Sequence, residues 1–198
     1  CLGSTGTGAV DDLAAIGVIC REHDLYLHVD AAWAGSALLL PEQRWMIDGI
    51  EHVDSFVVNP HKWMLTNFDC SAHYVRDPEP LVRTLSILPA YLQSRETGSV
   101  IDFRDWGVPL GRRFRSLKLW FVLRSYGASA LREMIRGHIA LAEELAGWIR
   151  DTPDFEVVDG PRLALLNVRY APSDVTDPEA RNALNSQLVE RINDSGAL

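Results

Sequence analysis

The stretch Ser55-Phe56-Val57-Val58-Asn59-Pro60-His61-Lys62-Trp63 decides the fold. Ser55–Val58 is a short apolar run of the kind that forms a buried strand. A single lysine stands just past its C-terminal end, next to a histidine and close to an asparagine. Upstream, Leu25-Tyr26-Leu27-His28-Val29-Asp30-Ala31-Ala32 is a second such run, and its strand, predicted over 25–29, leads directly into the carboxylate of Asp30. Before it, Asp11 to Glu22 has helical periodicity, with Leu13, Ile16 and Cys20 on one face. Strand, helix and strand in this order, with near-continuous apolar strands, predict an α/β protein whose mostly parallel sheet is covered on both faces. Ligands of such sheets bind at the C-terminal strand ends.

A lysine and an aspartate on neighbouring strand ends are the pair expected of a pyridoxal phosphate site. The lysine amine condenses with the aldehyde, and the carboxylate holds a proton on the pyridine nitrogen, because a nearby opposite charge favours the charged form of a base. The amine must be partly desolvated to be neutral and nucleophilic. A lone strand-end lysine is more commonly a solvated surface charge, so the weight rests on the flanking residues. The small residues after Asp30, from Ala31 to Ser36 around Trp33, let something flat approach the backbone. The glycine-rich turn Gly3-Ser4-Thr5-Gly6-Thr7-Gly8 precedes the first helix, where phosphate can bind. It matches neither the P-loop nor the dinucleotide fingerprint, and on spacing alone it reads as a flexible connection. His28, Asp30 and His61 are too few for a metal centre, and none is expected.

The 198 residues are 47% hydrophobic and 23% charged, an ordinary globular composition with enough chain for a sizeable core. A formal charge of -8 argues against nucleic acid or an anionic membrane as the main partner. No apolar run approaches the roughly 20 residues that span a bilayer. Cys1, Cys20 and Cys70 are too scattered for a disulfide framework, so a reducing compartment, the cytoplasm, is expected. Both ends are abrupt, as in a fragment of a longer protein.

Further along, Pro41 to Ile50 reads as a short helix and connection, and Cys70–Val75 as one more strand. Arg76 to Trp106, rich in proline, is expected to be irregular, a long loop that is either functional or disordered. Pro109 to Arg115 opens a helix that runs to Tyr126 and is capped by Gly127. The arginines at 112, 113 and 115 oppose the helix dipole, so an acidic partner should face them. Ala128 to Asp151 is a long helix with Leu131, Ile135, Leu141, Leu145 and Ile149 on one side. Phe155–Val158 and Leu163–Tyr170 read as strands separated by Gly160-Pro161, and Asp177-Pro178 starts a helix with Leu184, Leu188 and Ile192 as its buried stripe. The division expected is a large-domain part at 1–127, and at 128–198 a linking helix with the start of a small, truncated α+β C-terminal domain.

The segments His28-Val29-Asp30-Ala31-Ala32-Trp33-Ala34-Gly35-Ser36, Asn59-Pro60-His61-Lys62-Trp63, Asn67-Phe68-Asp69-Cys70-Ser71 and Pro109-Leu110-Gly111-Arg112-Arg113-Phe114-Arg115-Ser116-Leu117-Lys118 together resemble the group II pyridoxal phosphate-dependent decarboxylases, most closely the aromatic-L-amino-acid branch. The resemblance runs through essentially the whole chain. It implies the fold type I architecture of pyridoxal phosphate-dependent transferases, an obligate homodimer, and conversion of an aromatic L-amino acid to its amine and CO2. It implies that Lys62 binds pyridoxal 5'-phosphate covalently, that Asp30 pairs with its ring nitrogen, and that Ala32 packs on one ring face. Thr5 is implied at the ring edge, and Asn59 and His61 on the phosphate side, His61 also serving catalysis. Tyr91 is implied on a mobile loop that returns a proton to Cα. Related aldehyde synthases carry phenylalanine there, so Tyr91 favours decarboxylation. Trp33 stands where many relatives have tyrosine. The family's main phosphate-binding segment, its ring-stacking histidine and much of the substrate pocket correspond to residues upstream of Cys1, so these residues alone are expected to be inactive.

Overall fold

The computed structural model describes residues 1–86 and 100–196. Its elements in order are α1 (Leu13–Glu22), β1 (His28–Asp30), β2 (Ser55–Val58), α2 (Pro60–Trp63), β3 (Ala72–Val75), α3 (Glu79–Leu85), α4 (Arg115–Arg150), β4 (Phe155–Arg162), β5 (Leu165–Tyr170) and α5 (Pro178–Ser195). Three short 3-10 helices, Ala34–Leu39, Pro41–Ile47 and Ile50–His52, fill the connection between β1 and β2, where one short helix was expected.

α1 begins where the Asp12 side chain accepts from the Ala15 N–H at 2.9 Å, satisfying an otherwise orphaned donor. It buries Leu13 and Gly17, while Ile16, expected on the same face, is exposed, because α1 meets the Ile50–His52 helix along Gly17. β1 starts later than expected. The Leu27 N–H goes to the Asp54 carboxylate at 2.9 Å, so strand pairing begins at His28 and leaves Leu25 and Tyr26 exposed.

β1 and β2 pair in parallel, with His28 opposite Ser55 and Asp30 opposite Val57. β3 then adds antiparallel to β2, so the three described strands form a mixed sheet with β2 in the centre. Successive strand residues point to opposite faces. Val29 is buried in a core with Leu2, Leu13, Leu40, Met46 and Ile135, whereas His28 and Asp30 are exposed on the other face. The expected cover on both faces is therefore not seen among the described residues; the core lies on the Val29 side alone.

α3 falls inside the stretch expected to be irregular. Pro78 and Pro80 read as breakers there, yet Pro80 sits in the first helical turn, where a missing N–H costs nothing. α4 is two helices joined at Gly127, whose φ of +74° is left-handed, as the expected cap there requires. The helix starts at Arg115, and of the three arginines expected to face an acidic partner it is Arg115 that has one among the described residues, the Asp69 carboxylate accepting from its Nε at 2.9 Å. That hydrogen bond holds the Asp69 carboxyl below its ordinary range.

Beyond Gly127, Leu131 and Ile135 are buried as expected, but Ala142 and Ala146 continue the stripe, and Leu141 and Leu145 are exposed. The spacing of 131, 135, 142 and 146 keeps one face toward the core, and the small alanines let α4 lie close to β4 and β5. In the hairpin, β4 runs on through Gly160-Pro161 to Arg162 and the chain turns at 163–164, not at Gly160-Pro161 as expected. Register shifts between Val157 and Arg162 absorb the irregular pair. α5 starts as expected, with Asp177 accepting from Ala180 N–H at 2.7 Å, and its Asn185 amide clasps the Tyr170 backbone at 2.8 Å on both sides.

Candidate active site

The C-terminal ends of β1 and β2 carry most of the candidate residues, and backbone hydrogen bonds lock these ends together. Ala31 N–H donates to Val57 at 3.0 Å, and Asn59 N–H donates to Ala32 at 2.8 Å. Lys62 N–H then returns to the Asn59 carbonyl at 2.9 Å, which closes the single turn of α2. Asp30 and Lys62 thus lie on the same edge of a parallel pair, the position at which such sheets bind ligands.

The Ala32 N–H donates to Asp30 Oδ1 at 2.9 Å, so the carboxylate is oriented while Oδ2 has no protein partner among the described residues. Lys62 is exposed, and its ammonium makes no ion pair or hydrogen bond among them either. Ala32, beside Asp30, is half-buried and carries only a methyl group.

The glycine-rich turn comes to the same edge. Leu2 N–H donates to the Asp30 carbonyl at 2.8 Å, which sets the turn alongside β1. Gly3 has φ +79°, and a Cβ there would sit 2.3 Å from Ala34 Cβ, so only glycine allows the approach. Ser4 Oγ accepts from Ala9 N–H at 3.2 Å and lies 2.7 Å from Thr7 Oγ1, which fixes the turn and leaves Thr5 exposed at its tip.

His61 and Asn59 are held from the far side by the segment before β3. His61 Nδ1 lies 2.9 Å from Cys70 N and 2.7 Å from Cys70 O, and Phe68 packs edge-on against the ring at 4.9 Å. Ser71 Oγ donates to Asn59 Oδ1 at 2.5 Å, which leaves the amide NH2 group as the donor end of Asn59. Burial pushes the Cys70 thiol up, away from nucleophilic range. Tyr91 lies outside the described residues. His28 Nδ1 lies 2.6 Å from Ser55 Oγ, and among the described residues no group of three or more histidine, cysteine or acidic side chains converges on a metal position.

Two members of this neighbourhood were not among the residues singled out as functional. Trp63 packs on Trp33 at 5.4 Å and donates its Nε1–H to His138 Nδ1 at 2.9 Å. The pair is 75 residues apart, a separation that no local pattern reports.

A set of one free amine, one oriented carboxylate and a small residue beside the carboxylate fits pyridoxal phosphate chemistry. The comparisons agree with this geometry. Residues 1–171 match the pyridoxal-dependent decarboxylase conserved domain. Over its full length the chain is 46% identical to tyrosine decarboxylase 4 of Petroselinum crispum and 47% identical to phenylacetaldehyde synthase of Arabidopsis thaliana, and spans 40% of each. A crystal structure of Oryza sativa TDC with PLP and tryptamine superposes with a TM-score of 0.93 at 40% identity, over 98% of this chain and 41% of that one. The shared architecture is that of fold type I, and the chain belongs to the pyridoxal-dependent decarboxylase family.

Proposed function

We propose that the protein is a pyridoxal phosphate-dependent carboxy-lyase that converts an aromatic L-amino acid to its amine and CO2. The observation that carries this reading is the placement of Asp30 and Lys62 at the adjoining C-terminal ends of β1 and β2. When bound, pyridoxal phosphate supplies the sink for the electron pair left on Cα as the carboxylate departs. Lys62 would hold the cofactor through its side-chain nitrogen. Asp30, with Oδ1 anchored by Ala32 and Oδ2 free, keeps a proton on the ring nitrogen. Ala32 gives the flat ring room, and Thr5 lines its edge. Asn59 and His61, each fixed from the Cys70-Ser71 segment, would hold the phosphate side, and His61, the residue before Lys62, is assigned its proton transfers. Tyr91 returns a proton to Cα after CO2 leaves.

The division at Gly127, with a large-domain part before it and a linking helix and small domain after it, belongs to this reading and is supported by the left-handed break there. So does a homodimer. The exposed Phe114, Leu117, Trp120 and Phe121 form an apolar face that a second copy would cover. Three free cysteines suit a cytoplasmic location, and the charge of -8 argues against nucleic acid or an anionic membrane as a partner. Among the described residues no helix is long and apolar enough to cross a membrane.

A second reading has a specific support, the 47% identity to a phenylacetaldehyde synthase. Product analysis of the holoenzyme with phenylalanine, tyrosine, tryptophan and dihydroxyphenylalanine separates the two. Amine and CO2 in equal amounts are expected. Aldehyde with ammonia as the main product would establish the second reading, and a keto acid would overturn both. Tyr91→Phe should divert the product toward aldehyde; an unchanged amine yield would remove Tyr91 from the proton-return role.

A further inference from the structure

We infer that His138 is a positioning residue for the Lys62 turn, acting through Trp63. The inference deepens the proposed function and rests on it. α2 is only four residues long, too short to be rigid on its own, yet it carries the amine on which the site depends. Something outside it must fix the turn. Its last residue, Trp63, packs on Trp33 at 5.4 Å, and Trp33 follows Asp30 and Ala32 at the end of β1. The two indoles therefore join the lysine turn to the aspartate turn. The outer edge of Trp63 is then held by His138 Nδ1 at 2.9 Å.

An indole N–H can only donate. The bond therefore requires a bare Nδ1 on His138, which puts the proton of the neutral imidazole on Nε2. His138 itself stands on the firmest part of α4. Ile135, one turn before it, is fully buried in the main core. Arg132 Nε donates to the Leu39 carbonyl at 2.8 Å, and Arg136 makes two hydrogen bonds to the Glu42 carboxylate at 2.6 and 3.0 Å. The turn of α4 that leads into His138 is thus anchored to the core and to the Leu39–Glu42 segment, and His138 transmits that anchorage to the residue after Lys62. The acceptor, not the imidazole as such, is what the geometry needs.

Asparagine supplies the discriminating variant, because its Oδ1 is bonded to Cγ as the histidine Nδ1 is. Leucine keeps a similar branch without an acceptor. The apo forms of the wild type, His138→Leu and His138→Asn are titrated with pyridoxal phosphate and reduced with borohydride, and the pyridoxyl group on Lys62 is counted by peptide mass. Thermal midpoints of the apo proteins are recorded alongside. His138→Leu should need about fivefold more cofactor for half-labelling of Lys62, the size of one neutral hydrogen bond, and His138→Asn should stay within about twofold of wild type. Leucine labelling at the wild-type concentration would overturn the inference, as would asparagine behaving like leucine or a labelling loss that tracks the thermal midpoint alone. A wild-type protein that takes no pyridoxyl group on Lys62 would instead bring down the functional reading, and the inference with it.

Discussion

The two halves of α4 have similar apolar content and opposite fates. After Gly127, Leu131 and Ile135 are 1% and 0% exposed, and the flanking arginines reach the Leu39 carbonyl and Glu42. Before Gly127, Trp120 and Phe121 are 52% and 55% exposed, and Phe114 more so. Hydrophobicity alone did not decide which half is buried. The docked half meets the core that also carries the β1 and β2 strand ends. The open half is held at its first residue, Arg115, by Asp69 and Cys70, but its aromatic face stays exposed, which is how a helix face looks when its cover is another chain or segment. The docked half thus serves the candidate site from within, whereas the open half is proposed to serve assembly.

The largest effect that would sharpen this contrast comes from Ile135→Ala. Removing a fully buried side chain from the main core should cost about 2–5 kcal/mol of stability in chemical denaturation. A loss below about 1 kcal/mol, the range of surface changes, would mean that the second half is not docked as described.

An intermediate effect should come from acid. Hydrogen bonding to Arg136 lowers the Glu42 carboxyl to about 2. A depressed carboxyl contributes stability that is full above its ordinary value of 4.5 and is lost as pH falls from there toward about 2. Stability measured from pH 6 downward should therefore fall less steeply in Glu42→Gln than in the wild type across that window. Identical slopes would remove this ion pair from the docking of α4.

The smallest effect is expected on the open half. Trp120→Ser should change the stability of the isolated chain by less than about 0.5 kcal/mol, while weakening self-association in analytical ultracentrifugation of the full-length protein. A large stability loss without a change in association would break the contrast, by showing that Trp120 is packed within its own chain.

The candidate site was more legible in the sequence than the packing around it. Asp30 and Lys62 each follow an apolar strand, and strand ends are where a parallel pair must deliver its functional side chains. Gly127 announced the break in α4 because a left-handed residue is required there. What escaped depends on neighbours that no local pattern contains. Leu141 and Leu145 look like core residues by hydropathy, yet Ala142 and Ala146 are buried because the helix approaches the hairpin closely. Pro78 and Pro80 looked irregular because their places, one at the N-cap and one in the first turn of α3, cannot be told from composition. The Trp63–His138 bond joins residues on two elements that only the tertiary fold brings together.

The central claim, that Lys62 is the cofactor-binding amine beside Asp30, has an unusually clean test, because residues 1–198 contain only two lysines, Lys62 and Lys118. The holoenzyme is scanned in the visible range, reduced with borohydride and digested, and the peptides are weighed. The account predicts a visible band that disappears on reduction, with the pyridoxyl mass on the peptide containing Lys62 and none on the one containing Lys118. A band that persists in Lys62→Ala, or a pyridoxyl group found on Lys118 in place of Lys62, would contradict it.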